Sequence, residues 1–569
     1  MRLHAPATVI VIELIAKLRE IVLRSKLMNN PVASVYAVAL LTGIAVLPVF
    51  LVDIPAIADY PNHLARMYLL EASGTSQANP YYTVHWTLCP NLAMDFLVPL
   101  LAQFMGVAAA TKTFLVLSQA LIVSGSVALE IAVKRRHQLA GFAAVAVLYS
   151  VPFTLGLLNW EFGIGIALWG FTFWIILENR TVYARLLVHS IFVFCLYGAH
   201  LLAMGLYGAV LGFHFLSRMS ARGLDAKNGA VTLAILVSPA LVILGYVILS
   251  GTKVGSDGTQ WTVASKISAL LIMNGYSTTI ALCNLVLILG LFYFLFRYRA
   301  LSFVAEGSWI AGGLLVLFIA MPFRVAGSAY NDTRIAIAAI LIVPAFLLVS
   351  SKNRIVRILP SVILSAIALI NSGHAAAVWF SYRSEYAALK SSFGLLQRGA
   401  FVLVGEAAFA EPYDLTGLPL RYAPVLAVHY AGAFVPSLFS LPGMYVVHVS
   451  PKLRPLEITN TFFYDPVPSR FLEAVADGRD VPDLPSFIRC WTYDYDYLYL
   501  VGPRVRNPMP SRLVPLASSG RFVLFRIKKH ENSQQSNNRP SICSKRMSAA
   551  QVKQNELWTM SRAAGITSR

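Results

Sequence analysis

The sequence predicts a polytopic α-helical membrane protein of about eleven transmembrane helices with a C-terminal extracytoplasmic α/β domain, and three observations carry that prediction. With 57% hydrophobic and only 13% charged residues, a chain of 569 residues has too little polar surface to coat a water-soluble globule. Its mean hydropathy of +0.64 agrees. Apolar runs of membrane-crossing length recur along the first two thirds of the chain, and the basic residues between them fall on alternate loops.

The runs lie near 33–52, 110–132, 138–156, 160–178, 184–199, 200–217, 229–250, 277–297, 304–322, 335–351 and 358–378. Lys17, Arg19, Arg24 and Lys26 precede the first run. Every second loop then repeats the pattern: Lys134-Arg135-Arg136, Arg180 with Arg185, Arg218 with Arg222 and Lys227, Arg297 with Arg299, and Lys352 with Arg354 and Arg357. The intervening loops hold only Arg66, Lys253, Lys266, Arg324 and Arg334. Basic residues in short loops favour the cytoplasm, so the N-terminus is expected inside. Leu186 to Leu216 is too long for one ordinary helix, and basic loops at both of its ends require an even number of crossings. A tight helical pair turning near Gly198-Ala199-His200 satisfies both constraints. The odd total then puts the C-terminal region outside.

The net charge of +19 would suggest nucleic acid in a soluble protein. Here much of it sits in the inner loops and in the tail after Arg526, so topology accounts for it and no nucleic-acid partner is expected. Cys89, Cys195, Cys283, Cys490 and Cys543 show no metal-ligand spacing, and that spacing gives little support to a disulfide between Cys89 and Cys490.

Residues 1–32 read as a cytoplasmic amphipathic segment, with Glu13, Lys17, Arg19 and Glu20 interrupting an apolar stretch at helical spacing. The transmembrane module spans 33–380. Its long first outer loop, 53–109, contains a surface-parallel helix at Tyr60–Glu71 and a surface or re-entrant helix at Asn91–Met105. Residues 381–527 have globular composition. Strand-like runs are expected there at 401–406, 425–429, 445–449, 497–501 and 522–526, with a helix at 470–476. The Ser-, Asn-, Gln- and Lys-rich tail 528–569 has nothing to bury and is expected to be disordered.

Chemistry-bearing residues collect at the outer ends. Asp53, Asp59, His63 and Arg66 follow the first span, and Pro61 is suited to the first turn of a helix on which His63, Arg66 and Leu70 recur on one face. Two compatible roles are open to Asp59: an N-cap, or a carboxylate held at the membrane surface as general base. Asn159-Trp160-Glu161 forms the short turn between the third and fourth spans, where Trp160 reads as an interfacial anchor or a sugar-stacking platform. A carboxylate beginning a span, as Glu161 does, needs a reason. His200 sits at the tip of the tight pair, either as a satisfied interfacial histidine or as part of a site. The loop MPFRVAGSAYNDTRIAIA brings Arg324, Asp332 and Arg334 outside, where guanidinium suits phosphate and an Asp332–Arg334 pair is the plainer alternative.

One acidic residue soon after the first span, in a long outer loop with surface-parallel helices, resembles the GT-C superfamily of membrane glycosyltransferases. That group includes protein O-mannosyltransferases and lipid A aminoarabinose transferases, and DYPNHLAR is similar to first-loop segments in its bacterial members. The resemblance implies transfer of a sugar from a polyprenyl-phosphate carrier to a glycan, lipid or protein acceptor outside the cytoplasm, usually with inversion. It implies Asp59 as the base, with Asp53 second, and places the chain in the bacterial inner membrane. The adjacent acidic pair of the mannosyltransferase branch is absent, because Tyr60 follows Asp59. A divalent cation is compatible with this chemistry but not required by any ligand cluster. Two other functions fit the composition. A transporter of lipid-linked material is disfavoured by the lack of an internal repeat and of midplane charges. A non-catalytic or ligase-like component of envelope polysaccharide assembly would reduce Asp59 to a cap.

Overall fold

The computed structural model describes residues 31–222, 226–250, 258–304, 306–325, 327–407, 419–479, 481 and 484–529. The amphipathic segment and nearly all of the tail read from the sequence lie outside the described residues.

The chain opens with α1 (Pro31–Leu51) and then the outer loop, which carries α2 (Tyr60–Ala72), β1 (Tyr82–Val84) and α3 (Ala93–Met105). Next come α4 (Val107–Lys134), α5 (Ala140–Ala146), α6 (Val151–Leu155), α7 (Leu158–Ile176), α8 (Val182–Ala199), α9 (Leu201–Arg222), α10 (Ala226–Ser250) and a short α11 (Val263–Ser268). Then follow α12 (Thr278–Arg297), β2 (Leu301–Phe303), α13 (Gly307–Ala320), α14 (Asn331–Phe346), β3 (Leu347–Val349) and α15 (Arg354–Ser381). Among the described residues each of the eleven predicted runs falls on helix, with 335–351 ending in β3 and 138–156 interrupted after α5. Among the described residues, α1, α4, α8, α9, α10, α12 and α15 are long and apolar enough to cross a membrane. The protein is a multi-pass membrane protein.

Two features of the bundle position the site. First, α4 and α7 approach closely because glycine occupies the contact: a Cβ at Gly165 would stand 2.7 Å from the Leu121 Cβ, and one at Gly125 2.8 Å from the Leu168 Cβ. Second, the predicted run 138–156 is broken between α5 and α6. Irregular backbone survives at such a place only when other protein groups satisfy it. Here Val151 N–H donates to Ile272 O (3.1 Å), Gly275 N–H donates to Tyr149 O (3.0 Å), and Asn371 Nδ2 donates to Ala146 O (2.9 Å) and Met273 O (2.7 Å). The break frees the chain to turn, and α6 ends beside Asp59.

The C-terminal domain begins with α16 (Arg383–Ser392) and is built on a mixed five-stranded sheet. Its strands are β4 (Val402–Glu406), β6 (Val467–Pro468), β7 (Tyr497–Val501), β8 (Leu513–Ser518) and β9 (Phe522–Ile527), in spatial order β6-β4-β7-β9-β8. The strands β4 and β7 are buried throughout, which explains their apolar composition up to Glu406 at the end of β4. Helix α17 (Ser469–Ala476) follows β6 directly.

Two strand expectations need correction. Residues 423–430 are helical, not extended: Pro424 opens a 3-10 turn and Ala431 N–H closes back onto Ala427 O. The strand at Val447–Val449 (β5) exists but does not join the domain's sheet. It pairs antiparallel with β1 of the outer loop, Tyr82 opposite Val449 and Val84 opposite Val447. Side chains reinforce this joint. Asn62 donates to Ser437 O (2.9 Å) and accepts from Phe439 N–H (2.7 Å), Tyr82 exchanges hydrogen bonds with the Val435 backbone, and Asn79 donates to Val428 O and Ala433 O. Cys89 is a free thiol, so the Cys89–Cys490 bridge is not formed.

Candidate active site

Asp59 stands at the N-cap of α2, but its carboxylate makes no capping hydrogen bond. The cap role offered by the sequence is therefore not used. The residue is held by its main chain instead: Asp59 N–H donates to Leu155 O and Ala58 N–H to Thr154 O, both at 3.0 Å. Gly156 completes the clamp at φ +93°, and a Cβ there would lie 2.7 Å from the Asp59 Cβ. The Asp59 carboxyl is pushed up to about 8, first by burial and then by the negative charge of Asp465, against the opposing pull of Arg421 and Arg334. It remains only partly covered. A carboxyl in this state takes a proton readily near neutral pH.

Near Asp59 lies a polar group contributed by α7, α14 and the turn between α8 and α9. Glu161 sits in the first turn of α7 and is 4% exposed, and its Oε1 makes no hydrogen bond. Arg334, in the first turn of α14, is equally buried. Its Nη1 contacts Ser328 Oγ (3.1 Å) and His200 Nε2 (3.3 Å), and its charge interacts with Glu161 and Asp59. His200 lies at the predicted turn between α8 and α9, with Nδ1 accepting from Leu202 N–H at 3.1 Å. Three of the predicted residues thus converge near Asp59. Trp160, beside Glu161, is 1% exposed with an unbonded indole N–H. Burial removes it as an interfacial anchor and as an exposed stacking surface.

The 321–334 segment is also rearranged relative to expectation. Asp332 does not pair with Arg334. It is fully buried against Lys266 Nζ (3.0 Å), while its Oδ1 accepts from Thr333 N–H (2.8 Å). Lys266 also reaches Met321 O and lies over the Phe318 ring. This buried pair fixes the head of α14, which is a structural role. Arg324 is half-buried, its backbone bridged to Gln260 (3.0 and 3.2 Å), and its charge acts on the Tyr330 hydroxyl together with those of Asp465, Arg421 and Asp59.

The C-terminal domain supplies residues that sequence reading did not find. Tyr422 donates its hydroxyl to Asp465 Oδ1. Arg421 reaches the same oxygen at 3.6 Å and Glu406 Oε2 at 3.2 Å. Thr461 Oγ1 donates to Gly327 O (3.2 Å), tying this part of the domain to the 321–330 segment. Nothing local in RYAPVL or FFYDP marks these residues. Only the fold brings them over a loop more than three hundred residues earlier.

Three predicted residues fall outside this arrangement. Arg66 is fully buried. Its Nη2 donates to both Asp95 oxygens at 2.5 Å, and its guanidinium lies 4.4 Å from the Tyr445 ring centroid. His63 donates from Nε2 to Gly156 O (3.1 Å) and accepts from Arg66 at Nδ1 (3.4 Å). Burial first, then the Arg66 charge, pulls its pKa down to about 3, so it is a neutral brace and not a titrating site residue. Asp53 is exposed at the end of α1, where its charge acts on Lys112. Among the described residues no group of three or more His, Cys, Asp or Glu side chains could hold a metal ion.

No protein-family model matches the chain, and no curated protein does. Its structure is similar to the crystal structure of ArnT from Cupriavidus metallidurans bound to undecaprenyl phosphate, at 12% sequence identity and a TM-score of 0.46, over 86% of this chain and 97% of that one.

Proposed function

We propose that this chain is an integral membrane glycosyltransferase that moves a sugar from a polyprenyl-phosphate carrier to an envelope acceptor on the extracytoplasmic face of the inner membrane. The proposal includes a transmembrane module 33–380 and an extracytoplasmic domain 381–527; the expectations for 1–32 and 528–569 fall almost entirely outside the described residues. One observation carries it: a partly covered, uncapped carboxyl with raised proton affinity stands at the end of the helix bundle, acted on by two guanidinium groups.

In this reading Asp59 takes the proton of an acceptor hydroxyl as its oxygen attacks the anomeric carbon. The bond from that carbon to the carrier phosphate oxygen breaks, and the phosphate leaves with the electron pair. Arg324 and Arg334 are the cations suited to the phosphate charge as it grows. Glu161, with an unbonded carboxylate oxygen in a buried position, is suited to accept a hydrogen bond from the sugar.

The test is Asp59→Asn, which keeps the size but cannot act as a base. The variant is expected to insert at wild-type levels, to bind polyprenyl-phosphate sugar, and to transfer at least about a hundredfold more slowly. Wild-type transfer should rise as pH passes upward through about 8, because only the deprotonated carboxylate serves as base. Full transfer activity in the Asn variant would remove Asp59 from the mechanism.

A further inference from the structure

We propose that the C-terminal domain completes the site by pairing a second carboxylate, Asp465, oriented by Tyr422 and Arg421, with Asp59. The inference rests on the reading of Asp59 as a base and concerns a residue outside the membrane module.

The geometry begins at Phe439. Its backbone N–H is bonded to Asn62, one turn along α2 from Asp59, and its ring meets His63 edge-on at 5.8 Å. The same ring contacts Tyr422 at 6.1 Å and Tyr464 at 5.1 Å. The first turn of α2 is therefore fixed against the two tyrosines that neighbour Arg421 and Asp465 in sequence. Tyr422 and Arg421 converge on one oxygen of Asp465, and Arg421 is anchored on its far side by Glu406 at 3.2 Å. Asp465 is thus a bound, oriented carboxylate and not a freely rotating surface group.

Charged and titratable groups face Asp59 from each neighbouring element: Asp465, Arg421, Tyr422 and Tyr445 from the domain, Tyr330 from the segment before α14, and Arg334 from α14. Among the described residues, Asp465 is the like charge that acts on Asp59, and it opposes the two arginines. Two carboxylates near one another resist double ionisation, so Asp465 keeps the Asp59 proton on. Arg421 does two things at once: it binds the Asp465 carboxylate and its positive charge pulls on the Asp59 proton directly. Asp465 and Arg421 are positioning residues in this scheme, because both act through Asp59.

The experiment uses the full-length protein reconstituted in bilayers. The carbonyl stretch of the protonated Asp59 acid is identified by infrared difference against Asp59→Asn and followed as pH is raised. In Asp465→Asn, which still offers Tyr422 an acceptor, Asp59 should lose its proton about one pH unit lower than in wild type. Adding Arg421→Gln to Asp465→Asn should move the titration back up, because with Asp465 neutral only the direct pull of Arg421 on the Asp59 proton is lost. The ascending limb of the transfer rate should move with the infrared titration in both proteins. An Asp59 band that titrates at the wild-type pH in Asp465→Asn overturns the pairing. A band that shifts as stated in a protein that transfers no sugar supports the pairing and removes the transferase reading, so the two failures are separable.

Discussion

Arg66 illustrates how far a residue's role depends on what its side chain meets. From the sequence it is an outer-loop cation beside a candidate base, and a phosphate or sugar contact is the natural expectation. In the fold it is fully buried against Asp95, a residue with no signal of its own within an apolar helix. Removing one partner of a buried pair strands the other charge, so Arg66→Ala is expected to cost about 3–5 kcal/mol of stability. Replacing both partners with apolar residues of similar volume, as in Arg66→Met with Asp95→Leu, should recover most of that loss. Thermal denaturation of the purified variants measures both, and an Arg66→Ala protein as stable as wild type would return Arg66 to the pool of free outer cations. Asp59, Glu161, His200 and Arg334 could be read as site residues because each is a polar residue at an apolar run's outer end. Asp465 and Arg421 could not, since they sit in ordinary globular sequence and acquire meaning only from what they face.

At the scale of elements, the helices were legible wherever an apolar run was bounded by charge, and the tight pair α8–α9 turns at His200 as its flanking basic loops require. The break between α5 and α6 was not legible. Its residues are as apolar as their neighbours, and the groups that satisfy it come from residues 272–275 and Asn371. The run 425–429 misled for a related reason: buried Val and Ala satisfy a strand pattern and a short helix equally well. The break matters because α6, which follows it, is closed by Gly156, whose positive φ lets the chain pass against Asp59. Gly156→Ala introduces both left-handed strain and a Cβ in contact with the base. Transfer should fall roughly ten- to a hundredfold, the scale expected when a reacting group is displaced by about 1 Å, with little change in the amount of inserted protein. Gly212→Ala, where a Cβ would meet nothing within 4 Å, is the matched control. Equal transfer by the two variants would show that the close approach at Gly156 does not place the base.

For the whole molecule, the proposed chemistry requires the first outer loop, the 321–334 segment and the C-terminal domain to share one side of the bilayer. The contacts between them place all three at one end of the bundle, and in the topology proposed from the basic loops that end is outside. A reporter active only outside the cytoplasm should therefore work when fused after Val378 or Arg526 and be silent after Arg136 or Arg357. Cytoplasmic activity at Arg526 would reverse the assignment and move the proposed acceptor side with it.

The pairing of β1 with β5 also dictates an order of assembly. Val84 must wait for Val447, which leaves the ribosome about 360 residues and roughly 20–70 s later at ~5–20 residues per second. Throughout that interval the loop has a bare strand edge, with Asn62, Asn79 and Tyr82 lacking the backbone groups they will bind. On the proposed reading the base is delivered early and set last: Asp59 reaches its final surroundings only when residues 421–465 arrive, and a protein truncated before them should transfer no sugar.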